Sequence, residues 1–326
     1  MNCAWRTALV LTVFGVATGI HAQKPAVVLA EGKAVVFAGA DGKVTRRIPL
    51  SVEVDAVVFS RETGRLVIQT KGEWGGRLYL VDPKTGVLRG LLPYPIYFKN
   101  LTAKDKEVPE SERERINREE HEVYADPEFD PTGNLLVFAV HDSGPGAWDL
   151  VLASGPLAVL DLRTGQARVL ESTLLKSEQG PAFANNPQWS ADGTRILWNH
   201  EAGSELADAA GRATTDISGW FELRESEMGF GVAWIDHGSI LYAVYPEAAG
   251  APPARFSVLD LATRHSRPAA ESLGIKPDAF NIAKDVQVSD TMILIREFDN
   301  VSVYDRNSHR LLFSLPHGKG PVSLVR

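Results

Sequence analysis

The chain is nearly without cysteine: Cys3 is the only one among 326 residues, and it lies within an apolar leader. Beyond residue 22 there is no thiol to form a disulfide, ligate a metal or act as a nucleophile. Two catalytic signatures are also missing. No His-Glu-X-X-His run occurs. No Gly-X-Ser-X-Gly elbow occurs and no hydrolase domain follows the repeats described below, which excludes an enzyme of the prolyl oligopeptidase type. A basic surplus is absent too: 34 Lys and Arg face 41 Asp and Glu, a formal charge of −7, and loss of the single Arg6 with the leader makes it −8. Counterion release needs clustered cations, so neither nucleic acid nor an anionic membrane is expected as a partner.

Long apolar runs are missing as well. Ala8 to Ile20 is interrupted by Thr and Gly and is shorter than the roughly 20 residues a membrane helix requires. With Arg6 before it and Ile20-His21-Ala22 after it, residues 1–22 read as a secretory signal peptide cleaved near Ala22. Cys3 precedes the apolar run, which rules out the lipoprotein arrangement. The expected product is residues 23–326 as a single periplasmic domain, monomeric and without a membrane span.

What the sequence does contain is repetition. Pro127 to Val140 (PEFDPTGNLLVFAV) and Pro187 to His200 (PQWSADGTRILWNH) place Pro, an aromatic residue and Gly in register: Pro127, Phe129 and Gly133 against Pro187, Trp189 and Gly193. Each predicts a tight β-hairpin, the Gly supplying positive φ at the turn. One hairpin cannot bury both its faces, so repetition points to a propeller. A second signature marks third strands, an apolar run ending in Asp before a turn: LYLVDPKTG, LAVLDLRTG, FSVLDLATR and VSVYDRNSH. Asp82, Asp161, Asp260 and Asp305 are expected to hold those turns through backbone hydrogen bonds.

Grouping these elements gives an all-β chain of six four-stranded blades. The first, from Ala26, is one strand short, and Gly320 to Arg326 supplies the missing strand and closes the ring. The fourth blade is the obscure one. Its second half is placed in Arg212 to Leu223, and seven blades would follow if Glu201 to Glu227 hid another. The turns between first and second and between third and fourth strands are short, so the long connections, among them 93–123, 141–156, 171–182, 201–211, 246–254 and 271–284, all open on one face. Such a face is where binding is expected. The longest carries a mixed-charge segment, about 99–123, in which Pro109, Ser111 and Glu114 suit a helix start; a solvated helix is expected.

The pattern Pro-X-aromatic-X-X-X-Gly followed by an apolar strand and an apolar-Asp-X-X-Thr-Gly hairpin resembles the WD-like propeller repeat of the TolB family. The resemblance implies a β-propeller, export and a periplasmic location. The chain departs from that family in lacking the separate N-terminal α/β domain, so the Tol-Pal role is not implied.

Two functional readings stay open. One is a scaffold that binds a protein or peptide of the periplasm or envelope through the loop-rich face, with Trp74, Tyr97, His141, Trp148 and His200 as candidate contacts and no cofactor. The other is a propeller enzyme, a lactonase-like hydrolase or a lyase, with acid-base residues or a metal at the channel mouth. For a metal the candidates are His141, Asp142, His200 and Glu201, since imidazole with carboxylate suits zinc or a similar ion, although no compact ligand spacing supports them.

Overall fold

The computed structural model describes residues 25–72, 75–92, 96, 122–142, 156–170, 184–200, 203–212, 214–246, 255–281, 283, 285–297, 300–316 and 322–325. Their strands form six four-stranded sheets, a six-bladed β-propeller. The first blade begins with β1 (Val27–Ala30), β2 (Ala34–Ala38) and β3 (Val44–Pro49). The second holds β4 (Val54–Phe59), β5 (Leu66–Thr70), β6 (Leu78–Val81) and β7 (Leu88–Gly90). The third holds β8 (Glu122–Phe129), β9 (Leu135–Asp142), β10 (Leu157–Asp161) and β11 (Gln166–Val169). The fourth holds β12 (Asn185–Trp189), β13 (Arg195–His200), β14 (Gly203–Asp208) and β15 (Thr214–Asp216). The fifth holds β16 (Glu227–Trp234), β17 (Ser239–Pro246), β18 (Arg255–Asp260) and β19 (Ser266–Pro268). The sixth holds β20 (Asp285–Val288), β21 (Met292–Arg296), β22 (Asn300–Asp305) and β23 (Leu311–Pro316), and β24 (Val322–Leu324) ends the chain.

β24 returns to the first blade as expected. It pairs antiparallel with β1, Val27 opposite Leu324 and Leu29 opposite Val322, and so becomes that blade's innermost strand. The central strands are covered on both faces by neighbouring blades, which is why they are continuous apolar runs rather than alternating ones: Leu136 to Val140 are all 0% exposed. The outermost strands are polar, β3 exposing Thr45, Arg46 and Arg47. Each apolar cluster joins two adjacent blades. Val28, Val35 and Ile48 meet Val57, Leu66 and Ile68 between the first and second, and Val322 and Leu324 join Leu294 and Val303 between the sixth and first. Trp198 fills the seam between the third and fourth blades, where truncation to Ala would cost about 3 to 5 kcal/mol.

The count of six blades stands as expected, and two other sequence expectations are corrected. No seventh blade lies in 201–227, which completes the fourth with β14, β15 and a 3-10 turn, Ser218–Trp220. The second half of the fourth blade therefore starts before residue 212, and the supposed long connection 201–211 is mostly strand. β14 escaped notice because an inner position is Ser204, whose hydroxyl donates to Asn199 Oδ1 (2.7 Å) and accepts from the Gly231 N–H (2.7 Å) instead of packing an aliphatic chain. Finally, Glu122, counted with the charged insertion, opens β8 and is 2% exposed; its carboxylate accepts from Tyr124 Oη (2.8 Å) and the Ile96 N–H (2.7 Å). Residues 99–121 of that insertion, where the helix is expected, lie outside the described residues.

Candidate functional site

The strand order divides the connections between two faces. On one, the turns 60–65 and 82–87 are the longest; from the other leave 91–121, 143–156, 170–184, 217–226, 247–254 and 269–284. The last of these contains α1 (Ala269–Leu273) and α2 (Asp278–Asn281).

The short-turn face is held from within and from blade to blade. Asp82, Asp161, Asp260 and Asp305 accept backbone N–H groups from Lys84 (2.7 Å), Arg163 (2.8 Å), Thr263 (2.8 Å) and Ser308 (2.6 Å), as the sequence predicted. Asp208 does the same in the fourth blade, accepting from Arg212 at 2.9 Å. These hydrogen bonds favour the ionised carboxylates and lower their pKa values; at Asp161 the Arg163 side chain contributes most and the value falls to about 2. Five arginines then reach across blade boundaries to backbone carbonyls. Arg61 donates to Pro25 (3.2 Å), Arg65 to Gly133 (2.8 Å) and Arg168 to Ala209 (2.8 Å) and Ala210 (2.9 Å). Arg195 donates to His237, and Arg306 to Ser289 (3.0 Å) and Ile235 (2.7 Å).

At the centre of this face, on the propeller axis, is a cavity of about 300 Å³. Its wall is made where the innermost strands end: Phe129, Trp189, Trp234, Val288 and Val325 from five different blades, with Ile235 beside them. Arg61, Glu62, Asp290 and Thr291 form the rim. Trp234 is fixed by its Nε1–H, which donates to the Gln188 carbonyl at 3.1 Å, and by the Arg195 guanidinium 4.8 Å from its ring centre. Trp189 is 2% exposed and its buried Nε1–H has no acceptor.

Toward the other face the innermost strands of blades two to five bulge at one height, at Asp55, Asp126-Pro127, Asn186-Pro187 and Val232. Asp126 and Asn186 hold φ of 51° and 47°, values that Asp and Asn tolerate better than most side chains. The Asn186 N–H donates to Asp126 Oδ2 (2.9 Å), and the Asp126 N–H to Gln69 Oε1 (3.1 Å). Gln69 Nε2 in turn donates to Asp55 Oδ2 (3.3 Å). Partial burial, then the charge of Asp126, raises the pKa of Asp55. This polar chain was not anticipated. Its signal was Asp or Asn directly before the repeated Pro.

Of the predicted contact residues, Trp74, Tyr97 and Trp148 lie outside the described residues, as do Glu201 and the side chain of Asp142. His141 is within β9 rather than beyond it, because β8 starts at Glu122 and extends the pairing to Asp142, and His200 is the last residue of β13, paired with Gly203 of β14. His141 is 4% exposed, its Nε2 3.5 Å from the Ala184 carbonyl oxygen. His200 packs on Trp198, ring centres 5.7 Å apart. Burial opposes ionisation of Asp216, but Ser218 hydrogen bonds and the neighbouring His200 outweigh it and lower its pKa. Among the described residues, no three His, Cys, Asp or Glu side chains gather as metal ligands would.

No protein-family model matches the sequence, and no curated protein matches it either. Solved structures do match in fold. A chain of a nidogen–laminin complex aligns with a TM-score of 0.56 at 8% identity, covering 92% of this chain and 98% of its own. An oligogalacturonate lyase in complex with manganese gives 0.51 at 14% identity over 87% and 77%. A protein from Agrobacterium tumefaciens described as a TolB gives 0.49 at 11% identity over 75% and 76%. At these identities the likeness is one of fold: the chain is a β-propeller. No described helix is long and apolar enough to cross a membrane.

Proposed function

We propose that the chain is an exported, TolB-like propeller that binds a protein or peptide partner in the periplasm or envelope through its loop-rich face. The observation carrying this reading is the segregation of connection lengths. Every long connection leaves from one face, while the other is kept to short turns tied by carboxylates and arginines. Drift without function would lengthen loops on both. Variable loops on a fixed scaffold are a common way to build a recognition surface. The bulged innermost strands on that side, with Asp55, Asp126 and Asn186, add a polar centre to it.

The reading is tested by replacing residues 97–120, which spares the Ile96 N–H that holds Glu122, with a short Gly-Ser linker and comparing capture of envelope proteins and melting temperature with the unaltered chain. Capture should fall while melting holds. Loss of capture instead in a variant changed at Arg61, Lys84 and Arg163, on the short-turn face, would overturn it. Export is checked separately by the mass of the periplasmic product, which should begin at Gln23.

A further inference from the structure

We infer that the partner of the loop face is a basic protein segment, drawn in and oriented by negative charge that the fold gathers on that side. The inference rests on the loop-face reading and names the chemistry of its partner. Taken between strand ends, the connections that leave the loop face hold 21 Asp and Glu against 14 Lys and Arg, an excess equal to the chain's whole formal charge of −7. The short-turn connections hold seven against nine, or eleven against nine with the four aspartates that end third strands, Asp161, Asp208, Asp260 and Asp305. Composition alone gives a mildly acidic protein; the topology makes it two-sided. A field of one sign across a binding face steers partners of opposite charge toward it and disfavours those of like charge.

The carboxylates of the two faces also differ in what meets them. On the short-turn face they meet cations and N–H groups: Asp41 pairs with Lys43 (3.2 Å) and Asp161 with Arg163 (2.8 Å), and Asp82 accepts from the Lys84 N–H (2.7 Å). Toward the loop face they meet one another. Asp55 and Asp126 lie exposed on the innermost strands of adjacent blades, joined through Gln69 rather than through a cation. Glu205 and Asp216 stand directly opposite each other on β14 and β15, an arrangement of like charges that costs stability. Asp55 and Glu205 are the described carboxylates whose pKa is raised, by burial first and then by the neighbouring Asp126 and Asp216. Ammonium or guanidinium groups arriving on this face relieve both repulsions. Among the described residues no three ligating side chains gather, so the charge is spread as the cations of a peptide are, and not focused as for a single metal ion.

The test is fluorescence anisotropy of acetyl-Lys-Ala-Lys-Ala-Lys-Ala-Lys-amide carrying an uncharged dye, titrated with the full chain beside the same peptide with Gln or Glu in place of Lys. Only the lysine peptide should bind saturably at about 20 mM salt, and about tenfold more weakly at about 150 mM. Two triple variants then remove equal charge from opposite faces with little change of shape. Asp55→Asn, Asp126→Asn and Asp216→Asn on the loop side should weaken the lysine peptide about fivefold or more, and Glu62→Gln, Asp236→Asn and Asp290→Asn in the short turns less than about twofold. The salt and peptide comparisons use the unaltered chain and decide the matter even if a variant does not fold. No saturable binding, binding unchanged by salt, equal binding of the glutamine peptide, or equal weakening by both variants would overturn the inference. If the loop-side variant binds undiminished while the linker variant has lost capture, the charge inference fails and the binding face stands; weakening confined to the short-turn variant removes both.

Discussion

The two faces of this propeller are built from the same strands yet obey different rules. On the short-turn face each connection is closed by its own aspartate, serine or threonine, and arginines carry the restraint to the next blade. On the other face connection length is free to vary, from 201–202 to 91–121. The contrast shows where the fold is specified. Apolar seams between blades hold the ring, the short-turn face fixes blade spacing, and the loop face is left free to vary in length, which is the basis of the proposed binding role.

The contrast can be broken most severely at the ring itself. Removing residues 321–326 deletes β24 and takes Val322, Leu324 and Val325 out of the core. At about 1.5 to 3 kcal/mol per buried aliphatic chain, roughly 5 kcal/mol or more is lost, and thermal melting should show a strongly lowered or non-cooperative transition. Next come the turn glycines. Gly133 has φ of 66°, and a side chain there would also overlap the Ser60 hydroxyl of the neighbouring blade; Gly193 has φ of 69° but only Pro131 nearby. Gly133→Val should therefore cost about 3 to 5 kcal/mol and Gly193→Val about 1 to 2, in denaturant unfolding. A single stitch is smaller again: Arg65→Ala, which removes the guanidinium from the Gly133 carbonyl and Asn134, should cost about 0.5 to 1.5 kcal/mol without altering partner capture.

The smallest expected effect is on pH dependence. The turn aspartates have pKa values lowered by folding, so their contribution is complete above the ordinary carboxylate range near 4 and is lost as pH falls through the folded values, about 2 for Asp161. Melting temperature should decline between roughly pH 4 and 2, with a shallower decline in Asp161→Asn. These groups are solvent-exposed, so the change per residue is slight.

Much of the ring was legible in the sequence because it is written in repeats. Phe129 and Trp189 stand in register before their turns, and the four aspartates mark third strands. β14 was not legible, since hydrogen bonding at Ser204 and Asn199 replaces the apolar run that normally announces a buried strand. Nor was the burial of Glu122, which depends on Tyr124 and on Ile96 across a long connection. The axial cavity had a visible signal that pointed nowhere alone. An aromatic at the end of the innermost strand recurs at Phe129, Trp189 and Trp234, but only the ring closure makes those ends converge. In the fifth and sixth turns Arg264 and His309 take φ of 58° and 59° where Gly86 and Gly165 stand in the second and third, so the glycine part of the signature fades while the aspartate part persists.

The central claim, that two opposed faces exist because the last strand closes the ring, is tested most directly by amide hydrogen exchange of the intact chain. Closure predicts that the amides of Val322–Leu324 and of Val27–Ala30 are protected to the same degree as the innermost strand of the sixth blade, Asp285–Val288, and are released with it. Exchange of Val322–Leu324 at the rate of an unstructured tail, with Asp285–Val288 still protected, would contradict it.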